Sequence, residues 1–233
     1  MKNNFEYETF IFISSSKLSI KVNSNLNKMI YEKNFMISEN NHDLIFKKLD
    51  SFLMENIFEV EKKIQSFIKK TYVILDLEIF FPIRISIKKK NFENLLDIST
   101  LNYLLSEAKD CCKKTIDNLK IVHMLIDNYQ ADEKDYDYFP NEINCKNFSI
   151  DITFICISDK LVKNLENVLS KYHISLSQVV NAHYIKNFLT SEKGDIYEMT
   201  QKIIRGHNPN EVKLTKKINK TKGFFEKFFN FFS

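Results

Sequence analysis

The residues that could do chemistry are few, and their spacing argues against most of it. The histidines His42, His123, His173, His183 and His207 have no His or Cys neighbour at ligand spacing, so isolated structural histidines are the expectation. The cysteines are Cys111, Cys112, Cys145 and Cys156. None forms a Cys-x-x-Cys pair, and the adjacent Cys111 and Cys112 suit neither a zinc knuckle nor a disulfide framework; reduced thiols are the simplest reading. The run Asp132, Glu133, Asp135, Asp137 lacks the glycine and the closing glutamate of a calcium loop and reads as a solvated loop. Ser14-Ser-Ser-Lys17 offers a serine beside a lysine, but a turn between two strands accounts for it. No nucleophile and base stand at a spacing that argues for covalent catalysis, and no metal or cofactor site is expected.

The three glycines, Gly194, Gly206 and Gly223, all fall late in the chain. Loops that cradle phosphate need glycine for close backbone approach, so a conventional nucleotide loop before residue 194 is not expected. Among the 34 basic residues only Arg84 and Arg205 are arginine. That bias, with the abundant Asn, Ile and Phe, is the codon signature of an AT-rich genome. The net charge of +4 is therefore no argument for nucleic-acid binding, and scarce arginine removes the bidentate reader of guanine.

The chemistry that remains is physical and sits at the C-terminal end. Placed on a helix after Gly223, Phe224, Phe225, Phe228, Phe229, Phe231 and Phe232 share an arc of roughly 160°. Glu226, Lys227 and Asn230 fill the rest. This is far short of the roughly 20 apolar residues that span a bilayer, and it suits a helix lying in the headgroup plane. Lys213, Lys216, Lys217, Lys220 and Lys222 precede it, and each adds about 1 kcal/mol of attraction near anionic lipid; Lys227 lies within it. Docking of the same helix on the protein's own core or on a partner is the alternative. The Lys-rich, non-periodic approach and the density of the Phe arc favour the membrane.

The elements ahead of this tail read as follows. Phe10–Val22 is a hairpin with a serine turn, and Met29–Ile37 a third strand. A long helix runs from Asp43 to Lys70 with Asn40 or Asn41 as cap, then a strand covers Tyr72–Leu77. From Pro82 the order is strand (Ile83–Lys88), helix (capped by Ser99, to Asp117), strand (Ile121–Tyr129, strictly alternating), strand (Phe148–Ile157), helix (capped by Asp159, to Tyr172) and strand (Ile174–Val180). That order predicts an antiparallel sheet with two helices on one face. Asp195–Arg205 reads as one more helix, ended by Gly206. No apolar run reaches spanning length, and no secretory signal is evident.

On these residues the chain resembles FtsA, the actin-like bacterial division family that tethers the cytokinetic ring to the membrane. Ile13-Ser-Ser-Ser-Lys17-Leu-Ser-Ile-Lys-Val22 stands where that family has its phosphate hairpin Asp-Ile-Gly-Thr-Ser-Lys. Residues 83–172 resemble the strand–helix–strand–strand subdomain inserted in its first lobe, and Ser175–Leu189 the return to that lobe. The tail is similar to the family's membrane helix. The resemblance implies an α/β (α+β) fold: a partial actin-like, RNase H-like lobe (1–82), the inserted subdomain (83–172), a return segment (173–192), a helix and basic linker (193–222) and an amphipathic membrane helix (223–233).

Phe12 replaces the family's aspartate and Ser14 its glycine, so the water-positioning carboxylate and the close approach to phosphate are both missing. After Leu189 too few residues follow for the second lobe. The expectation is a non-catalytic, membrane-peripheral division adaptor at the inner face of the cytoplasmic membrane, at the division site. Its expected partners are anionic lipids and division proteins, FtsZ or other divisome components, with self-association and without nucleic acid. The alternatives are a soluble interaction module whose Phe helix docks on a partner, and a divergent ATP-binding FtsA-like protein.

Overall fold

The computed structural model describes residues 7–24, 28–190 and 194–213. The chain opens with a meander of three antiparallel strands, β1 (Tyr7–Ser14), β2 (Lys17–Ser24) and β3 (Met29–Met36). Helix α1 (His42–Ile64) crosses back, and β4 (Lys70–Asp76) then pairs parallel to β1. The continuous run Phe10-Ile-Phe-Ile makes β1 a strand buried on both faces, as a central parallel strand requires. Ile11 and Ile13 enter the core beneath α1, while Phe10 and Phe12 face the opposite layer.

The chain then leaves this sheet to build a second one. Strands β5 (Phe80–Lys90), β6 (Leu119–Ala131), β7 (Lys134–Tyr136) and β8 (Asn147–Ser158) pair antiparallel in the order β5-β8-β6-β7, with helix α2 (Ile98–Thr115) between β5 and β6. Leu101, Leu104, Ala108 and Cys112 of α2 pack on Phe148, Ile150, Ile152 and Phe154 of β8. The chain returns through α3 (Asp159–Ser170) to β9 (Ser175–Asn181), which pairs parallel to β4. The first sheet thus has the order β3-β2-β1-β4-β9: an antiparallel meander extended by two parallel strands. Helices α4 (Ala182–Phe188) and α5 (Ile196–Ile204) cover its second face. The fold is a mixed α/β one with a second sheet inserted between β4 and α3.

Several expectations change in detail. Of the two helices expected on the inserted sheet, α2 packs on it, while Val162, Leu165 and Leu169 of α3 join the core under α1, because β9, to which α3 leads, belongs to the first sheet. Helix α1 stops at Ile64 rather than Lys70, since Gln65 turns left-handed (φ 54°) and caps it, and the Ile68 N–H then bonds the Glu61 carboxylate at 3.0 Å. Asn41 is its N-cap, accepting from the Asp43 and Leu44 amides. The cap of α2 is Asp97, not Ser99: its carboxylate accepts from the Thr100 N–H at 2.8 Å, and the Ser99 hydroxyl donates to it. Asp159 does not cap α3. It lies in the first turn, paired with Lys163 at 2.6 Å, and the helix ends at Ser170 before Tyr172.

The acidic stretch is no open loop. Asp132 and Glu133, both at positive φ (45° and 69°), form the two-residue turn joining β6 to β7, the geometry that matches strand twist. Strict alternation along β6 also fails. The register shifts at Ile121/His123 and at Ile126/Asn128, and the neighbours His123 and Met124 are both buried, as bulges permit.

Candidate functional site

The proposed membrane residues Phe224, Phe225, Phe228, Phe229, Phe231, Phe232, Lys217, Lys220, Lys222 and Lys227 lie outside the described residues. What the structure does show is the seat where the resemblance puts phosphate, and the point at which the chain heads into the basic linker.

The seat lies at the C-terminal ends of β1, β4 and β9, where open α/β sheets bind ligands. A cleft of about 1370 Å³ opens there between the two sheets, with Ser14, Asp76 and Asn181 on one wall and Asp127 and Thr153 on the other. The serine turn is closed on itself. The Ser14 hydroxyl oxygen accepts from the Lys17 amide at 2.9 Å and the Ser16 amide at 3.3 Å, and its hydrogen goes to the Lys17 carbonyl at 3.1 Å. The carbonyls of Ser15 and Ser16 accept from the Glu39 and Ile37 amides. Two amides that a phosphate loop would aim at its ligand are thus spent inside the turn. None of residues 14–16 has positive φ, so no glycine is needed.

Phe12, in place of the family's aspartate, is buried between the sheet and α5. Its ring stands 6.4 Å from that of Tyr197. Tyr197 donates its hydroxyl to Ser19 Oγ at 2.7 Å, and burial pushes its phenol up to about 12. Lys21 holds the same helix from below. It pairs with Asp195, the N-cap of α5, and with Glu32 at 3.5 Å, and its ammonium sits 4.9 Å from the Tyr197 ring centroid. Burial alone would lower the Lys21 pKa, but the hydrogen bond and charge of Asp195, with help from Glu32, carry it above its ordinary value. The cleft wall contains Asp76, Glu78 and Asp127 and, among the described residues, no lysine or arginine. Lys186 reaches Asp76 at 2.8 Å from outside that wall. A triphosphate entering here meets carboxylates and an occupied turn.

A second constellation joins four separate parts of the chain. His123 on β6 donates from Nδ1 to Glu211 Oε1 at 2.7 Å, and its Nε2 accepts from the Asn181 amide at 3.1 Å. An Nε2 that accepts from a backbone amide fixes the tautomer and leaves no free lone pair for base catalysis. Tyr184 of α4 donates to Glu211 Oε2 at 2.9 Å, and Asn208 donates to the Tyr184 hydroxyl at 2.9 Å. Burial, the largest effect, raises the Tyr184 pKa, and Glu211 adds to it. The segment 208–212 also pairs with β6 through the backbone: Ile126 N–H to Asn210 O at 2.9 Å and Val212 N–H to Met124 O at 2.8 Å. The network is a clamp that seats the end of the body against β6. No sequence signal pointed to it, because His123 and Glu211 are 88 residues apart.

Lys213 is the last described residue. It lies in a groove of about 570 Å³ between β6 and β9, beside Lys70 and Lys120. His42 and His183 line the cleft, His183 bonded to Asn187 at 2.9 Å, while His173 sits in a turn at φ 58°. The His207 ring meets Phe188. Among the described residues no three His, Cys, Asp or Glu converge on one point as a metal would need. Cys112, Cys145 and Cys156 are buried and Cys111 is exposed. Burial raises the buried thiols, Cys156 up to about 12, the opposite of what a nucleophile needs. No helix among the described residues is long and apolar enough to cross a membrane.

No protein-family model matches the chain, and no curated protein matches it. Solved structures do. One is the PilM–PilN type IV pilus biogenesis complex, at 9% identity and TM-score 0.46 over 78% of this chain and 49% of that one. Another is the cytoplasmic domain of EpsL, an inner-membrane component of the type II secretion system of Vibrio cholerae, at 10% identity and TM-score 0.37, covering 77% of this chain and 57% of that one. A third, Marinitoga piezophila Argonaute with a 5′-OH guide RNA, matches at 10% identity and TM-score 0.26, over 71% of this chain and 26% of that one. The chain spans about half the length of the first two. At these TM-scores the likeness assigns no function.

Proposed function

We propose that this protein is a non-catalytic, membrane-peripheral adaptor: an α/β body that docks on a protein partner and a C-terminal amphipathic segment that lies on anionic lipid. The observation that carries the reading is the pattern of six Phe on one arc behind a lysine-rich approach, which suits the headgroup plane and is too short to span. The closed seat supports the non-catalytic half. Ser14 takes the amides of its own turn, Phe12 lies under Tyr197, and the cleft wall carries carboxylates.

A place at the inner face of the cytoplasmic membrane and at the division site, with FtsZ or other divisome components as partners and with self-association, rests on the resemblance to FtsA. The test is co-sedimentation of the full chain, and of the chain lacking Gly223–Ser233, with vesicles with and without anionic lipid. Binding that requires both the anionic lipid and the segment supports the adaptor. Binding to no vesicle composition turns the reading to a soluble interaction module. Titration calorimetry with ATP and magnesium tests the other half, and micromolar binding there overturns it.

A further inference from the structure

The loop that joins β5 to α2, residues 91–97, projects with the first residue of α2, Ile98, from the end of the second sheet farthest from the first. Lys90↔Asn147 and Ala131↔Phe148 are the last pairs at that end, and the chain passes to and from the first sheet at the other, through residues 76–80 and 158–159. This tip carries large side chains in water: Phe92 is 76% exposed, Leu95 60% and Ile98, the first residue of α2, 59%. Phe92 and Glu93 are consecutive residues at positive φ, 52° and 61°, a conformation that side chains other than Gly and Asn avoid. The surrounding structure enforces it. The Asn91 amide bonds Lys146 O at 2.7 Å, the Glu93 amide bonds Cys145 O at 3.0 Å, and the buried Asn91 side chain donates to Asn94 O at 2.6 Å. The turn Asn91–Asn94, closed by the Asn94 amide on Asn91 O at 3.0 Å, thus fixes a phenyl ring in solvent.

The strand leading to the tip is basic. Between Glu78 and Glu93 the only charges are Arg84, Lys88, Lys89 and Lys90, and Arg84, Lys88 and Lys90 alternate outward on the sheet edge. Lys89 stacks on Tyr103 at 4.5 Å. Among the carboxylates at this end, Glu93 pairs with Lys146 at 3.3 Å, Asp97 caps α2, Asp132 holds the Lys146 and Asn147 amides, and Glu133 and Glu142 are exposed to solvent; the cations stand along β5, on the edge of the sheet. An apolar tip with cations set back from it matches the layering of an anionic bilayer, headgroups outside and acyl chains within.

We propose that Phe92, Leu95 and Ile98 form a second membrane contact, inserting at an anionic lipid surface with Lys88 and Lys90 at the headgroups. It builds on the membrane-peripheral reading, but different residues carry it. A weak amphipathic segment gains stable attachment when a second site binds the same surface. The linker is long enough for both at once, once the chain, which runs antiparallel to β6 at Glu211, turns back toward Ala131. Glu211 pairs opposite Leu125, which puts Lys213 level with His123, and β6 climbs roughly 26 Å from there to Ala131. Residues 214–222 can reach about 30 Å when extended.

The chain contains no tryptophan, so Phe92→Trp in the full chain gives a lone reporter at the tip, and Phe228→Trp a separate one in the tail. Each is mixed with vesicles of phosphatidylcholine and phosphatidylglycerol, with and without a doxyl quencher at shallow depth. The expected result is a blue shift and quenching of Phe92→Trp. Phe92→Asp should weaken vesicle binding roughly tenfold, and Lys88→Gln and Lys90→Gln roughly fivefold each at low salt. A silent Phe92→Trp beside a shifting Phe228→Trp overturns the tip contact and leaves the tail reading standing. A shift at Phe92→Trp with Phe228→Trp silent upholds the tip and sinks the tail. Silence at both overturns both.

Discussion

Replacing Tyr197 tests whether α5 closes the first sheet over Phe12. Tyr197 is 3% exposed, with Phe10 and Phe12 ring centroids 6.2 and 6.4 Å away and its hydroxyl on the fully buried Ser19 at 2.7 Å. Tyr197→Ala removes a buried aromatic ring and leaves a cavity, a loss of about 3–5 kcal/mol. At about 2–4 °C per kcal/mol for a chain of this size, the melting temperature should fall by about 10 °C. Tyr197→Phe keeps the ring and strips only the donor, leaving Ser19 Oγ without its partner in a dry layer, at a cost of about 1–2 kcal/mol. Adding Ser19→Ala to that variant removes the orphaned group. The double variant should therefore be less destabilised than the two single losses together. Thermal denaturation followed by circular dichroism reads the parent, Tyr197→Ala, the two single variants Tyr197→Phe and Ser19→Ala, and the double variant. If Tyr197→Ala melts within about 2 °C of the parent, α5 is not packed on the sheet and the account of the closed seat fails.

Three further outcomes follow from the same structure. Glu211→Ala strands His123 Nδ1 and the Tyr184 hydroxyl together and should cost about 2–4 kcal/mol, read as a lower urea midpoint at unchanged slope. The Asp195 carboxyl is buried enough that desolvation alone would raise it, but Lys21 and the Tyr197 and Glu198 amides hold it below its ordinary 3.8. Its folded value is the lower one, so its stabilisation is present above pH 3.8 and disappears as pH falls through the folded value. Asp195→Asn should thus be less stable than the parent at neutral pH and converge with it in acid, as parallel melts across pH would show. Cys111 should react quickly with a thiol reagent while Cys112, Cys145 and Cys156 react only on unfolding; fast labelling of a second thiol in the native protein would contradict the packing of the core between α2 and the second sheet.

The order and type of most elements were legible in the sequence because each carries its own local period. Phe10-Ile-Phe-Ile announces a strand, the alternation from Phe148 to Cys156 another, and Asn40 or Asn41 and Asp195 mark helix starts, with Asn41 the cap in the structure. Local pattern also supplied the Phe and Lys tail. Boundaries were less readable, because Gln65, Asp132 and Glu133 take left-handed backbone without the glycine that usually signals it.

Tertiary structure alone decided the rest. A helix pattern specifies an apolar face and not the partner of that face, so α3 could be assigned to either sheet until its contacts with the core beneath α1 were seen. The bulges of β6 place His123 inward, and only the return of the chain 88 residues later supplies Glu211 to meet it. The serine turn reads as a turn from its residue types, but that it consumes its own amides is a fact of three-dimensional direction. Hydrogen bonds and packing partners distant along the chain leave no periodic trace in it, and they decide what the cleft and the tip at Phe92 can touch.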